Sequence, residues 1–261
     1  MLYYSIAHYY DVNDKRKEAK YKHILKHINA FLKIKDNKKF IIVSTIDAPI
    51  GSKRYLKVKT KLNNFCKKYL PAHQIHIIVE YNWGGTIADL WYSYLYIKSN
   101  NIKKNKKNKK NKKNNCYIAH FEEDFGPNNN RWYAKSKEML INDIIYVGES
   151  NKGRLKYADF KTGQNDDGRL NSEVFEGNTR LALPEVWTDG GYYFSSLNNL
   201  KKIENTIGIF HKGNQNTKYD NKEDGISIGE VGFPTLLHHA GFKFNCLNRA
   251  DYFINEWCGG H

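Results

Sequence analysis

Four short apolar runs, separated by stretches of helical period, constrain this chain more than any other feature. They are Leu2 to Ala7, Phe40 to Val43, Ile75 to Val79 and Cys116 to Phe121. Each has the length of a strand and is nearly continuous in its hydrophobicity, as strands covered on both faces are. After the first run, Tyr21, Ile24, Leu25, Ile28, Phe31 and Leu32 recur at helical spacing with lysines on the other face, and Asp36-Asn37 breaks the pattern. Tyr55, Leu56, Leu62, Phe65 and Leu70 predict a second helix, stopped at Pro71. Ile87, Leu90, Trp91, Leu95 and Ile97 predict a third. Such alternation predicts an α/β fold, with a mostly parallel central sheet and helices on both faces.

At 261 residues the chain is read as one domain, since α/β folds reach this size undivided. No apolar run approaches the length of a membrane span, and no basic segment followed by a long apolar one opens the sequence. A cytoplasmic protein, not secreted and without a membrane span, is therefore expected. Cys66, Cys116, Cys246 and Cys258 lack metal-type spacing and read as reduced thiols. A net charge of +15 ordinarily points to nucleic acid, yet eight lysines between Lys103 and Lys113 supply about half of it. That Lys/Asn repeat has nothing to bury. Residues 99–115 are expected to form a disordered insertion, and nucleic acid is not the expected partner.

Chemistry is expected where the strands end, because open α/β sheets bind ligands outside the carboxyl ends of their strands. The first run leads into Ala7-His8-Tyr9, the second into Ser44-Thr45-Ile46-Asp47, and the third into Asn82-Trp83-Gly84-Gly85 ahead of a helix. The paired glycines permit a tight turn and close approach of a ligand, and the helix N-terminus favours an anion such as a diphosphate. The fourth run stops abruptly in Glu122-Glu123-Asp124. Carboxylates there can supply the hard oxygen ligands that a divalent cation requires; a solvated acidic turn is the plain alternative.

Taken in order, the Asn-x-Gly loop, helix, apolar strand and acidic triplet resemble the nucleotide-sugar half of GT-A glycosyltransferases, particularly the inverting family 2 group. The resemblance implies a Rossmann-like GT-A domain, with residues 1–125 binding a nucleotide sugar and residues 126–261 binding the acceptor and carrying catalysis. It implies a divalent metal, Mn²⁺ or Mg²⁺, held by Asp124 and Glu122, although Glu122 stands where the family usually has Asp. Ala7, His8, Tyr9, Asp47, Asn82, Gly84, Gly85 and Glu123 would contact the donor, Glu123 facing its ribose.

Arg131 to Leu140 predicts a helix and Ile144 to Gly148 a strand; Glu149 to Asn178 shows little periodicity. The segment Trp187-Thr188-Asp189-Gly190-Gly191-Tyr192, before a helix around Leu197 to Ile203, resembles the glycine-containing acceptor segment of these enzymes. Trp187 can stack on a sugar or fill the core, while Asp189, Gly190 and Gly191 would adjoin the acceptor. Gly229-Glu230 at the head of a predicted helix resembles the position of the family's catalytic base, though a first-turn carboxylate also suits the helix dipole. The Lys/Asn-rich composition is similar to that of glycosyltransferases encoded by giant DNA viruses of the mimivirus kind.

The activity thus implied is transfer of a sugar from a nucleoside-diphosphate donor to a glycan or protein hydroxyl, with inversion. Two alternatives share parts of the pattern. A sugar-nucleotide-forming nucleotidyltransferase would use the same fold and metal, but it usually carries a glycine-rich loop after the first strand, and none follows Ala7. A basic nucleic-acid-binding protein would rest on the lysine tract and lose affinity steeply with salt.

Overall fold

The structure, a computed structural model, describes residues 1–10, 17–46, 51–70, 75–81, 85–105, 116–141, 143–150, 158–159, 164–165, 175–176, 179–180, 189–208, 219–220, 233, 237–238 and 240–254. Seven strands form the central sheet: β1 (Leu2–Tyr10), β2 (Lys38–Ile46), β3 (Ile75–Tyr81), β4 (Tyr117–Phe121), β5 (Ile144–Ser150), β6 (Asp189–Ser196) and β7 (Lys243–Asn248). Their spatial order is β7-β5-β6-β4-β1-β2-β3. β6 runs antiparallel to both of its neighbours, and every other pairing in the sheet is parallel. The expected α/β architecture with a mostly parallel sheet is therefore present.

Helices α1 (Lys17–Leu32), α2 (Lys53–Lys67) and α4 (Arg131–Met139) share one apolar cluster with alternate residues of the sheet, among them Leu2, Tyr4, Ile6, Ala119 and Phe121. Helices α3 (Gly85–Asn105) and α5 (Leu197–Ile207) share a second with Tyr3, Ile41, Val43, Ile118 and Tyr193. Neighbouring residues of one strand point to opposite faces, so the two clusters are the two faces of one sheet. The first face is densely aromatic: the Phe121 ring lies 4.8 Å from Tyr4, 5.3 Å from Trp132 and 4.9 Å from Tyr192.

Local chemistry sets several boundaries. Ser52 caps α2 by accepting from the Tyr55 N–H, and Ser196 caps α5 by accepting from the Asn199 N–H. Gly208, with φ of 91°, ends α5 in a conformation that side chains disfavour. Two findings revise the sequence reading. α3 continues through residues 99–105, expected to belong to a disordered insertion, and residues 106–115 lie outside the described residues. Leu32, expected on the inner stripe of α1, is 48% exposed; the stripe instead carries Lys20, His23, Ile24, His27, Ile28 and Phe31. No described helix is long and apolar enough to cross a membrane.

Candidate active site

Strand order locates the site. From β1 the chain steps to β2 and β3 on one side, then returns through α3 to β4 on the other. The β1–β4 boundary is thus a topological switch point, where a crevice opens beyond the carboxyl ends of parallel strands. His8 and Tyr9 lie toward the end of β1, and Glu122-Glu123-Asp124 follows β4 directly. β6 runs the opposite way, so its starting residues Asp189, Gly190 and Gly191 lie at this same edge, with Asp189 in register with Glu149 at the end of β5.

The acidic turn is held mainly through its backbone. The Glu122 N–H donates to the Gly191 carbonyl at 3.1 Å, and the Phe125 N–H donates to the Glu122 carbonyl at 3.2 Å. From α1, Nε2 of His27 lies 3.1 Å from the Glu122 carbonyl and 3.2 Å from that of Glu123. Carbonyls only accept, so Nε2 carries the hydrogen. Burial holds the His27 pKa down at about 3, so the ring is neutral and Nδ1 accepts from the Tyr4 hydroxyl at 2.8 Å. One histidine thereby satisfies two carbonyls of the turn and a buried phenol.

Side chains from the α1 face also compensate charge. Lys20 Nζ sits 3.0 Å from Glu123 Oε1, with both side chains largely buried. His8 Nε2 lies 3.7 Å from Glu123 Oε2, beyond hydrogen-bond range, while its Nδ1 is 3.0 Å from the Ser44 hydroxyl. Burial, then the Lys20 charge, pushes the His8 pKa down to about 3, so His8 is a neutral neighbour of Glu123 rather than an ion partner.

The α3 face differs. Ser5 Oγ lies 2.7 Å from Ser93 Oγ and 2.9 Å from His120 Nδ1, a fully buried polar seam between helix and sheet. One turn earlier on α3 stands Asp89, only 3% exposed, whose Oδ1 has no hydrogen-bond partner among the described residues. Burial first, then the Glu122 and Glu123 charges, raises its pKa well above the usual carboxylate value.

A third support comes from the second half of the chain. Glu149 is completely buried at the end of β5 and takes a fork from Arg249, with Nε at 2.9 Å from Oε2 and Nη2 at 3.1 Å from Oε1. The Gly191 N–H points to the same Glu149 Oε1 at 3.3 Å. A Cβ on Gly191 would lie 2.6 Å from Cγ of the buried Phe125, so only glycine admits that ring.

Of the residues expected at the site, Ala7, His8, Glu122, Glu123, Asp124 and Gly191 are gathered at this edge. Ala7, His8 and Gly191 are buried, and Glu122, Glu123 and Asp124 are half-buried. Gly191 works as a spacer beneath Phe125 and an anchor for Glu122. For Tyr9, Gly85, Asp189 and Gly190 only the backbone is placed, in β1, α3 and β6. Asp47, Asn82, Gly84, Trp187 and Glu230 lie outside the described residues.

The sequence reading missed Lys20, His27, Asp89, Glu149 and Arg249. Polar side chains on apolar helix stripes were the available signal for the first three: Lys20 and His27 beside Ile24 and Phe31, Asp89 beside Leu90.

A Mn²⁺ or Mg²⁺ ion needs oxygen donors, and the turn offers carboxylates. Glu123 is engaged by Lys20, and Glu122 and Asp124 are the other two carboxylates of the turn. Among the described residues no three or more His, Cys, Asp or Glu side chains form a metal-holding group. One or two carboxylates suffice, however, when phosphate and water complete the shell, so the donor set fits such an ion. Neither a family model nor a curated protein matches the sequence.

Proposed function

We propose that the chain is a metal-dependent GT-A glycosyltransferase that moves a sugar from a nucleoside-diphosphate sugar to an acceptor hydroxyl with inversion. One observation carries the reading: a carboxylate turn follows the strand bordering the switch point, where open α/β sheets take nucleotides. In this reading the end of β1 at Ala7, His8 and Tyr9 and the acid Asp47 receive the base and ribose. Asn82, Gly84 and Gly85 and the start of α3 receive the diphosphate.

Glu122 and Asp124 are the carboxylates that would hold a divalent cation, and such an ion would supply positive charge to offset that of the departing diphosphate. Glu123, oriented by Lys20, faces the ribose. Asp189, Gly190 and Gly191 adjoin the acceptor, and Trp187 stacks on its ring. Glu230 takes the proton of the acceptor hydroxyl while that oxygen attacks the anomeric carbon. The new C–O bond forms on the face opposite the bond to the diphosphate, which breaks with its electron pair on the leaving oxygen.

The test begins with binding of sugar nucleotides, UDP-sugars first, with and without Mn²⁺, followed by single-turnover transfer. Glu230→Gln is expected to keep donor affinity and lose about a hundred- to ten-thousand-fold in rate. Near-normal transfer by that variant would remove Glu230 from the chemistry. No binding of any nucleotide sugar would overturn the reading as a whole.

A further inference from the structure

The outer surfaces of α1 and α2 have no part in the scheme above. Both helices share the first apolar cluster on one face of the sheet, and the Tyr21 ring of α1 lies 4.7 Å from the Phe65 ring of α2. They are neighbours, and their outer sides look the same way. At 3.6 residues per turn, the side of α2 opposite buried Val58, Leu62 and Cys66 carries Lys53, Lys57, Lys61 and Lys68, all exposed. The same reckoning on α1, opposite buried Ile24, Ile28 and Phe31, puts exposed Lys22 and Lys33 outward.

No acid answers these lysines. Residues 19–35 and 48–79 contain neither Asp nor Glu. Among the described residues, lysine ion pairs involve Lys20, Lys98, Lys135, Lys137 and Lys243, none of them on this surface. On α4, by contrast, Lys135 meets Glu138 at 2.7 Å and Lys137 meets Asp36 at 3.3 Å. The ridge also works against its own helix. Lys53, Lys57 and Lys61 are like charges at successive i, i+4 positions, and no acid in the first turn of α2 offsets the positive helix N-terminus. Apolar side chains stand among the cations: Leu56 is 54% exposed on the flank of α2, and Tyr69 just past its end is 42% exposed. A nucleic-acid backbone is met by cations alone, whereas the boundary between headgroups and acyl chains takes up both lysines and apolar groups.

We propose that the α1–α2 face docks on a bilayer surface rich in anionic phospholipid, the lysines meeting the headgroups and Leu56 entering the interface. Lys53 to Lys68 extends about 22 Å along the helix, room for several headgroups. The inference goes beyond the glycosyltransferase reading and uses no step of it.

The probe is a vesicle of phosphatidylcholine with about one-third phosphatidylserine, compared with phosphatidylcholine alone, and binding of the full chain at physiological ionic strength is read by sedimentation. Wild type is expected to bind the anionic vesicle only. Each lysine near such a surface contributes about fivefold, so Lys53→Gln/Lys57→Gln/Lys61→Gln should bind about a hundredfold more weakly. Glutamine is a good helix former, and the circular dichroism spectrum should not change. The lysines between Lys103 and Lys113 are also drawn to anionic lipid. The control is therefore Lys106→Gln/Lys109→Gln/Lys110→Gln, which removes equal charge and is expected to lose about tenfold at most. A loss in that control as large as in the α2 variant would overturn the assignment to this face. Leu56→Asn should weaken vesicle binding about fivefold, and no loss there would overturn the lipid contact. Wild type that binds double-stranded DNA more tightly than the vesicle, through the same α2 lysines, would replace lipid by nucleic acid. Wild type that ignores the anionic vesicle would end the proposal. Should the triple α2 variant misfold, Lys57→Gln alone takes its place: about a fivefold loss supports the docking face, and unchanged binding overturns it.

Discussion

The acidic turn after β4 is met from two sides, and they treat it differently. From the α1 face, Lys20 neutralises Glu123 and His27 satisfies two backbone carbonyls. From the α3 face comes Asp89, a buried carboxyl whose pKa is raised by burial and by the charges of Glu122 and Glu123, and whose Oδ1 accepts no hydrogen bond among the described residues. On the first side a lysine compensates the charge of Glu123, although Glu123 Oε2 itself accepts no hydrogen bond among the described residues. On the second, burial and the charges of Glu122 and Glu123 hold the Asp89 carboxyl toward its protonated form. A fold keeps such an imbalance at the expense of stability, and strain of this kind gathers at functional sites. The contrast separates a carboxylate compensated by a lysine from a buried carboxyl pushed toward its neutral form.

Acid is expected to expose the contrast most strongly. His8 and His27 have folded pKa values of about 3 against an ordinary 6.5, so below pH 6.5 the unfolded chain binds protons that the folded one refuses. Their contribution is complete above that pH and is lost as pH falls toward 3. At pH 5 the loss is about 2 kcal/mol per histidine. Asp89 runs the other way, because its raised pKa lets the folded state hold a proton that the unfolded chain lacks. Its direction therefore offsets part of the histidines' loss. Urea titrations at pH 7, 6 and 5 should therefore show wild type losing stability as the pH falls, and Asp89→Asn losing more over the same range. Equal slopes in the two proteins would break the comparison.

Next in size is Lys20→Met. It strips the largely buried Glu123 of its cation and is expected to destabilise by about 3 kcal/mol at pH 7. Pairing it with Glu123→Gln should restore most of that, because the cost lies in the stranded charge. A double variant no better than the single would show that Lys20 acts through packing.

The smallest effect is expected from Asp89→Asn at neutral pH without metal. The amide keeps the shape and loses no hydrogen bond at Oδ1, so the melting temperature should be equal to wild type or higher. A drop equivalent to more than about 2 kcal/mol would mean that Asp89 has a structural partner, and the two sides would no longer differ.

The first four strands and three helices were legible because burial on two faces leaves a strong pattern, apolar runs against a period of 3.6. The acidic triplet was legible as an interruption of that pattern. The roles of Lys20, His27 and Asp89 were not. His27 reads as one more core position until a turn 95 residues away brings its carbonyls to Nε2. The same holds for Glu149 and Arg249, whose pairing depends on β5 and β7 being neighbours. The direction of β6 was also hidden, since Tyr192-Tyr193-Phe194 would read as a strand either way. Whether a strand enters a sheet parallel or antiparallel is settled by its connections.

The spacer at Gly191 and the fork from Arg249 bear on when the turn acquires its shape. Its sequence is made by residue 124, but the carbonyl that anchors Glu122 arrives at residue 191 and the guanidinium that grips Glu149 at residue 249. A chain emerging from the ribosome can pair β1, β2, β3 and β4 early, whereas the acidic turn has all its supports only when synthesis is nearly finished. Contacts this far apart in sequence form late, because the loop between them must close before they contribute. The turn is made in the first half of synthesis and completed in the second, so a nascent chain carries these carboxylates without all of their supports for nearly half of its translation.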